Sequence, residues 1–361
     1  MSWIKSILRF CIPTVIVILG LEFGARALFN PPPGKLTQNK AVYSEAELDK
    51  SIPFIHSRNG SSCVTIRNGF NWNQWWGYSA RSLDLDCAKE FFSKENFNVV
   101  FLGGSAMYNG EAPNYLTALD YLATKDIEGI RSINLAEGGA RHMNMSVRFQ
   151  REVLPLKPDL VIFFDGYNEF NSILYGGGNP NDDFNWQVSG KLRMHTPHRL
   201  YIEKAIQISK FLELALIHTG IYSSARNVYG IRYDRDLMQR AADTYLSDKQ
   251  VTSALCDQFS IKCVFVIQPQ IFTSSLDEHL DIILYEDRMM PHSKETRVSG
   301  YNRILEKCAD CVDLSESLNE VSNSFIDPVH FSKAGSEKVG NLLEAIILKQ
   351  IESSMKKSKT N

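Results

Sequence analysis

The stretch Asn98-Val99-Val100-Phe101-Leu102-Gly103-Gly104-Ser105 indicates how this chain folds. Its apolar and partly β-branched residues are typical of a strand that is buried on both faces. The run ends at two glycines, which predict a tight turn, and Ser105 follows directly. Because ligands of open α/β sheets bind beyond the carboxyl ends of the strands, Ser105 is a candidate nucleophile. That role also requires a base, an orienting acid and donors for an oxyanion.

The same pattern, a short apolar run and then a helical periodicity, repeats along the chain after residue 97. Strands are predicted at residues 99–102, 132–135, 160–164, 263–267 and, more weakly, 311–314. Helices are predicted at about residues 112–124, 144–153 and 333–351. Strands that alternate with helices predict an α/β fold in which helices cover both faces of a parallel sheet.

The composition divides the chain into four parts. Residues 1–29 read as a membrane anchor or signal segment, and residues 30–96 as a Pro-rich linker followed by an irregular lead-in rich in Trp, Asn and Ser. Residues 97–352 form the predicted α/β domain, with an insertion at about residues 171–250 that contains helical patterns near 200–217 and 235–255. Residues 353–361 are a polar tail.

The N-terminal segment predicts transfer across a membrane. Lys5 and Arg9 precede the apolar run 10–21, and counting from residue 7 to 29 makes the segment long enough for a single span. The basic residues predict that the N-terminus stays inside and the rest of the chain lies outside. Ala25-Arg26-Ala27 is also a possible signal-peptidase site, so a secreted form is the alternative. We favour the anchor because Glu22 and Arg26 suit the edge of a membrane.

The charge balance argues against a nucleic-acid partner. The net charge is −2, with 22% charged and 44% hydrophobic residues, which is ordinary for a folded protein and supplies no basic field. Oligomeric state cannot be predicted from these values.

Six cysteines lie beyond the N-terminal segment, and outside the cytoplasm they can form three disulfides. The simplest pairing joins the local neighbours Cys256 with Cys263 and Cys308 with Cys311, which leaves Cys63 for Cys87. Buried free thiols are the alternative. A zinc site at Cys308 and Cys311 is disfavoured because no second pair has comparable spacing.

Two further loops after predicted strands carry groups suited to stabilising an oxyanion. Residues 134–139 (Asn-Leu-Ala-Glu-Gly-Gly) place Gly139 where its amide can approach a ligand closely. Residues 165–169 (Asp-Gly-Tyr-Asn-Glu) place the Asn168 side chain after the next strand. We expect the amides of Ser105 and Gly139 and the side chain of Asn168 to form an oxyanion hole.

The base and the orienting acid are predicted near the C-terminus, in Asp327-Pro328-Val329-His330. His330 would accept the proton of Ser105, and Asp327, three residues earlier on a turn, would hold the imidazole in the required tautomer. Three weaker substrate-binding candidates are Gln268, which follows the fourth strand, and Arg141 and His142, which follow Gly139.

These stretches together resemble the GDSL-type, or SGNH, hydrolase family, which is named for the Ser, Gly, Asn and His of its four motifs. The resemblance covers roughly residues 97 to 350. Gly104 stands where the family name places Asp, Ala136 where the second motif often has its first Gly, and Glu169 where the third has Asp. The stretch from Asp327 to His330 matches without change. None of these three differences from the family motifs falls on a residue proposed to be catalytic.

The resemblance implies a flavodoxin-like three-layer α/β/α sandwich and ester chemistry without a metal or another cofactor. With the N-terminal segment, it predicts a membrane-anchored serine esterase that acts outside the cytoplasm on an acylated small molecule, glycan or lipid. One alternative is an O-acyltransferase that loads acyl groups from Ser105 onto a polysaccharide. A second is a noncatalytic glycan-binding or assembly protein that retains the fold.

Overall fold

A computed structural model describes most of the expected α/β domain and part of the segment before it. The described residues are 63–73, 77–92, 94–107, 117–123, 125, 127–170, 235–274 and 293–358, with 17, 19–21 and 23 near the N-terminus. Within these residues no helix is both long and apolar enough to span a membrane. The expected anchor falls almost entirely outside this described part, as does most of the expected insertion.

A five-stranded parallel sheet forms the centre of the described fold. Its strands are β3 (Phe97–Gly103), β4 (Ile130–Asn134), β5 (Leu160–Asp165), β6 (Lys262–Ile267) and β7 (Val312–Asp313), numbered after the two strands of a hairpin described below. Across the sheet the order is β4-β3-β5-β6-β7, with every neighbouring pair parallel. Counted from β3, this is the flavodoxin-like order 2-1-3-4-5, whose direction reverses between β3 and β5. The predicted parallel α/β fold is confirmed.

Alternate residues of each strand enter two different cores. Val99 and Phe101 point to one face, with Leu119 of a short helix and Leu343 of the C-terminal helix. Val100, with Leu102, packs on the other face. Since successive side chains of a strand point to opposite faces, a strand buried on both faces must be apolar throughout. That requirement explains the uninterrupted apolar run of β3.

Four of the six described helices overlap a helical pattern predicted from the sequence, and the first and fifth helices were not predicted. The described helices are α1 (Leu85–Phe91), α2 (Ala118–Ala123), α3 (His142–Arg148), α4 (Arg235–Gln258), α5 (Ser293–Lys307) and α6 (Lys333–Ser358). The predicted helix 144–153 starts two residues earlier and continues as a π-helical turn, Phe149–Val153, before Pro155 helps to end it. The helical pattern near 235–255 is confirmed as α4.

The segment before the sheet is more regular than its composition predicts. Strands β1 (Val64–Asn73) and β2 (Gly77–Leu83) pair antiparallel, with a register irregularity between Ile66 and Asn71. Their Val, Thr, Ile, Phe, Trp and Tyr residues favour strands, and this outweighs the Asn and Ser content from which we expected irregular structure. Helix α1 follows, its N-terminus capped by Asp84, whose Oδ1 accepts the N–H groups of Asp86 and Cys87.

Three disulfides join Cys63 to Cys87, Cys256 to Cys263 and Cys308 to Cys311, which confirms the simplest pairing. The first ties the hairpin to α1, and the second ties the end of α4 to β6. Cys308, Asp310 and Cys311 bring potential metal-ligand atoms together. Because both sulfurs are bonded to each other, they are not available as thiolate ligands in this state.

Candidate active site

Ser105 lies where β3 ends at the carboxyl edge of the sheet. It begins a single 3₁₀ turn, Ser105–Met107, in which the Met107 N–H donates to the Gly104 carbonyl, and it is partly exposed while its neighbours are buried. Gly103 is tightly packed, because a Cβ there would lie 3.3 Å from side-chain atoms of both Met107 and Phe164. Ser105 therefore lies at the end of β3, where the strand order of the sheet reverses.

The loop after β4 is bonded to the Ser105 turn at several points. Asn134 Nδ2 donates to the Met107 carbonyl over 2.9 Å, and Asn134 Oδ1 accepts the N–H of Ala136. The Glu137 N–H donates to the Gly103 carbonyl over 2.9 Å. This role of Asn134 in holding the Ser105 turn was not identified from the sequence. An amide side chain at the end of a predicted strand could have indicated it, because such a side chain can bond the neighbouring loops.

Gly139, the predicted oxyanion donor, occupies a backbone conformation that requires glycine. Its φ is +73°, in the left-handed region that residues with a Cβ adopt rarely. The conformation turns the chain from the loop after β4 into α3, so the Gly139 amide is set by the backbone of a buried turn.

Asn168 connects the loops after β3, β4 and β5. Its Nδ2 donates to the Ala140 carbonyl over 3.0 Å and lies directly against Gly104, where any Cβ would overlap it. The bond to the Ala140 carbonyl orients the Asn168 side chain. The structure thus brings Asn168 beside the turn that carries Ser105 and beside the residue that follows Gly139.

Asp327 and His330 form the predicted pair. Asp327 Oδ2 lies 2.6 Å from His330 Nδ1, and Oδ1 accepts the main-chain N–H groups of Val329 and His330. Burial raises the pKa of the Asp327 carboxyl, but the hydrogen bonds from the His330 ring and the two N–H groups outweigh burial and lower it overall. Because an ionised carboxylate only accepts hydrogen bonds, Nδ1 carries the proton and Nε2 is the basic nitrogen.

The loop of Asp327 and His330 is held at the same end of the sheet as Ser105. The Pro328 carbonyl accepts the N–H of Ile271, which follows β6. Phe331 packs edge-on against Phe164 of β5, and Phe164 is the register partner of Gly103 in β3. The nucleophile turn and the histidine loop therefore pack against neighbouring parts of one strand end.

His142, one of the three weaker substrate-binding candidates, lies in the interior and is not placed to contact a substrate directly. It is fully buried, with Nδ1 at 2.8 Å from Asp165 Oδ2 and Nε2 at 3.1 Å from Thr252 Oγ1 of α4. Both ring nitrogens are engaged by protein. Burial lowers the pKa of His142, but the attraction and hydrogen bond of Asp165 outweigh it and raise the pKa overall.

Arg141 and Gln268, the other two weak candidates, are also buried. The Gln268 N–H donates to the Asp165 carbonyl, and the Arg141 charge acts on Glu169, whose pKa it lowers. Neither position favours direct contact with a substrate.

Sequence reasoning missed a buried polar cluster beneath the loop after β5. Asp165 and Glu169 are both buried, and the Tyr245 hydroxyl of α4 lies 3.5 Å from Asp165 Oδ2. Burial and the neighbouring Asp165 charge raise the pKa of Glu169 to about 7, against the opposing effects of Arg141 and His142. A carboxylate at the end of the apolar run of β5 is the signal that could have indicated this cluster.

Comparisons with known proteins give a distant likeness. No protein-family profile and no curated protein matches the chain. Among solved structures, an acetyl xylan esterase, AlAXEase, is 17% identical with a TM-score of 0.40 and covers 69% of this chain and 98% of its own. A catalytic mutant of an acetylxylan esterase from Geobacillus stearothermophilus is 14% identical with a TM-score of 0.38, over 69% of this chain and 93% of its own.

A GDSL-like lipase from Bacteroides thetaiotaomicron is 13% identical with a TM-score of 0.39, over 72% of this chain and 91% of its own. At these identities and TM-scores, none of the three similarities decides the activity of this chain.

Proposed function

We propose that the chain is a serine ester hydrolase in which Ser105 is the nucleophile, His330 the general base and Asp327 the group that orients His330. The observation that carries the proposal is the 2.6 Å hydrogen bond between His330 Nδ1 and the Asp327 carboxylate, at the sheet end that also presents Ser105. A serine hydroxyl is a weak nucleophile at neutral pH and needs such a base.

In the first step Ser105 Oγ forms a bond to the acyl carbon while its proton passes to His330 Nε2. The tetrahedral intermediate collapses as the bond to the alcohol oxygen breaks, and the departing alcohol takes the proton from His330. Water then attacks the acyl-enzyme with His330 again as base, which releases the acid and restores Ser105. The Asp327 carboxylate stabilises the imidazolium formed in each half of the reaction.

The oxyanion of each tetrahedral intermediate is stabilised by the main-chain amides of Ser105 and Gly139 and by the side-chain amide of Asn168. The support for this arrangement is the contact of Asn168 with both Gly104 and Ala140. Donors that are already oriented before the reaction need no reorganisation as charge develops, which is the source of their effect on rate.

We further propose that this domain works outside the cytoplasm, attached through residues 1–29, on an ester of a cell-envelope glycan or lipid. The three disulfides support an oxidising compartment, because such bonds rarely persist in the cytosol. The basic residues before the apolar run support the orientation. The substrate class follows from the family resemblance and the proposed location.

The central test is ester hydrolysis by the purified full-length chain. We expect release of p-nitrophenol from p-nitrophenyl acetate and labelling of Ser105 by a fluorophosphonate, with both abolished in Ser105→Ala because no other nucleophile replaces its oxygen. Ser353→Ala, which removes an exposed hydroxyl bonded to the Gln350 carbonyl, is the matched control and should retain both. Hydrolysis that persists in Ser105→Ala would contradict the assignment.

A further inference from the structure

His142 is held at two points by residues on either side of Asn168. Its main-chain N–H donates to Glu169 Oε1 over 2.7 Å, and its ring Nδ1 is 2.8 Å from Asp165 Oδ2. Asp165 ends β5 and Glu169 directly follows Asn168, so both acceptors belong to the same short segment. His142 itself is the first residue of α3, three residues after Gly139.

These contacts join the two halves of the proposed oxyanion hole. One half is the turn that contains Gly139 and continues through Ala140 to His142. The other is the segment from Asp165 to Glu169, which contains Asn168. Together with the bond from Asn168 to the Ala140 carbonyl, three hydrogen bonds connect the two segments across the sheet edge. A shift of one segment against the other would change the separation of the Gly139 amide and the Asn168 side chain.

Resting on the proposed function, we propose that Glu169 is a positioning residue for the oxyanion hole, which acts by accepting the His142 N–H and so holds the Gly139 turn at a set distance from Asn168. The hydrogen bond between the His142 ring and Asp165 holds the side chain of His142 in addition. Glu169 is buried and acts through His142, so it has no need to touch the substrate.

The protonation state of Glu169 does not remove this role. A neutral carboxyl group and an ionised one both offer an oxygen that can accept the His142 N–H, and the pKa near 7 means that both forms are present at neutral pH. The acceptor oxygen, and not the negative charge, is therefore the feature on which the positioning depends. Glutamine has the same length and supplies that oxygen without a charge, whereas alanine supplies none.

The test compares Glu169→Ala and Glu169→Gln with wild type in the full-length chain. The assay measures kcat and KM on p-nitrophenyl acetate, normalised to active sites counted by fluorophosphonate labelling, so that unfolded molecules do not contribute. We expect Glu169→Ala to lower kcat by about 10- to 100-fold, by analogy with the loss of an oxyanion donor, and to leave KM within about threefold. Glu169→Gln should restore most of the lost kcat. Asp243→Ala is the control, since it removes a carboxylate that bonds Arg303 and Lys307 at the surface.

The outcomes separate this inference from the proposed function. The inference is overturned if wild type is active and Glu169→Ala keeps its kcat, if Glu169→Gln is as impaired as Glu169→Ala, or if only KM changes. Wild type that neither hydrolyses the ester nor labels at Ser105 contradicts the proposed function itself, and the oxyanion-hole role with it.

Discussion

At the scale of single residues, the absence of a side chain at Gly104 determines where the Asn168 side chain can lie. The residue precedes Ser105, and the side-chain amide of Asn168 occupies the space that a Cβ at position 104 would take. In the family that the chain resembles, the motif name places Asp at this position. Here the missing Cβ allows Asn168 to lie against the nucleophile turn, so the departure from the motif contributes to the geometry of the site.

We expect Gly104→Ala to lower kcat by about 100- to 1,000-fold, because the new Cβ displaces the Asn168 donor from its place. The fold should survive, since the displaced atoms are the far end of one side chain. The measurement is kcat on p-nitrophenyl acetate together with the thermal midpoint. Gly138→Ala is the matched control, because a Cβ there meets nothing within 4 Å. Equal kcat values for the two variants would refute this account of Gly104.

At the scale of elements, the buried polar cluster links β5, α3 and α4. Asp165 at the end of β5 bonds His142 of α3, whose other ring nitrogen lies beside Thr252 of α4, and Thr252 in turn donates to Ser146 of α3 or to the Asp248 carbonyl. Burying so many ionisable groups is costly unless they bond one another. Because burial and the neighbouring charges change the pKa values of these groups, the free energy of unfolding depends on pH.

We expect the free energy of unfolding to fall by on the order of 2 kcal/mol between pH 5 and pH 8 through Glu169. Its pKa is about 7 in the folded chain and near its ordinary value of 4.5 when unfolded, so the folded state binds the proton more tightly and loses this advantage as pH rises. The raised pKa of His142 acts in the same direction, since its contribution is lost as pH rises through its folded value.

Urea unfolding of wild type and Glu169→Gln at pH 5 and pH 8 measures this contribution. Glu169→Gln has no proton to lose, so its stability should change less between the two pH values than that of wild type. Asp243, whose pKa is lowered by Lys307 and Arg303, offers the contrasting control Asp243→Asn, which should leave the wild-type slope over this range in place. Parallel slopes for wild type and Glu169→Gln would rule out the assignment.

At the scale of the whole molecule, the disulfides allow the proposed location outside the cytoplasm to be tested. All six cysteines beyond the N-terminal segment are paired, and each bond joins residues within or next to the described helices and strands. The remaining one of the seven cysteines is Cys11. If the domain folds outside the cytoplasm, these pairs should be oxidised in the cell.

Chain extracted under acid quench and alkylated with a maleimide-polymer conjugate should therefore carry at most one label without reductant and seven after reduction. Added protease should also digest the C-terminal domain in cells whose cytoplasmic compartment is sealed, because the domain is expected on the outer side. Seven labels without reductant, or complete protection from protease in such cells, would place the domain in the cytoplasm and contradict the proposed location.

Much of the architecture could be predicted because it depends on local pattern. The apolar runs of β3 and β5 are strands because residues buried on both faces must be apolar, and the disulfides of Cys256 and Cys308 form with near neighbours in sequence. The hairpin of β1 and β2 was missed because its strands contain many polar residues and so lack a clear alternation of apolar and polar residues. Its strands are recognised from their antiparallel pairing with each other. The burial of His142 was not predicted, because its partners Asp165 and Thr252 are distant from it in sequence.

Sequence by itself determined the five strands of the parallel sheet, the turn at Ser105 and the local Asp327–His330 pair, since each depends on residues within a few positions of one another. Only the tertiary structure decided that Asn168 lies against Gly104, and that His142 is held by Asp165 and by Thr252, 23 and 110 residues along the chain. The physical reason is that burial and hydrogen bonding depend on which strand ends the parallel sheet brings together, and no short stretch of the chain contains that information.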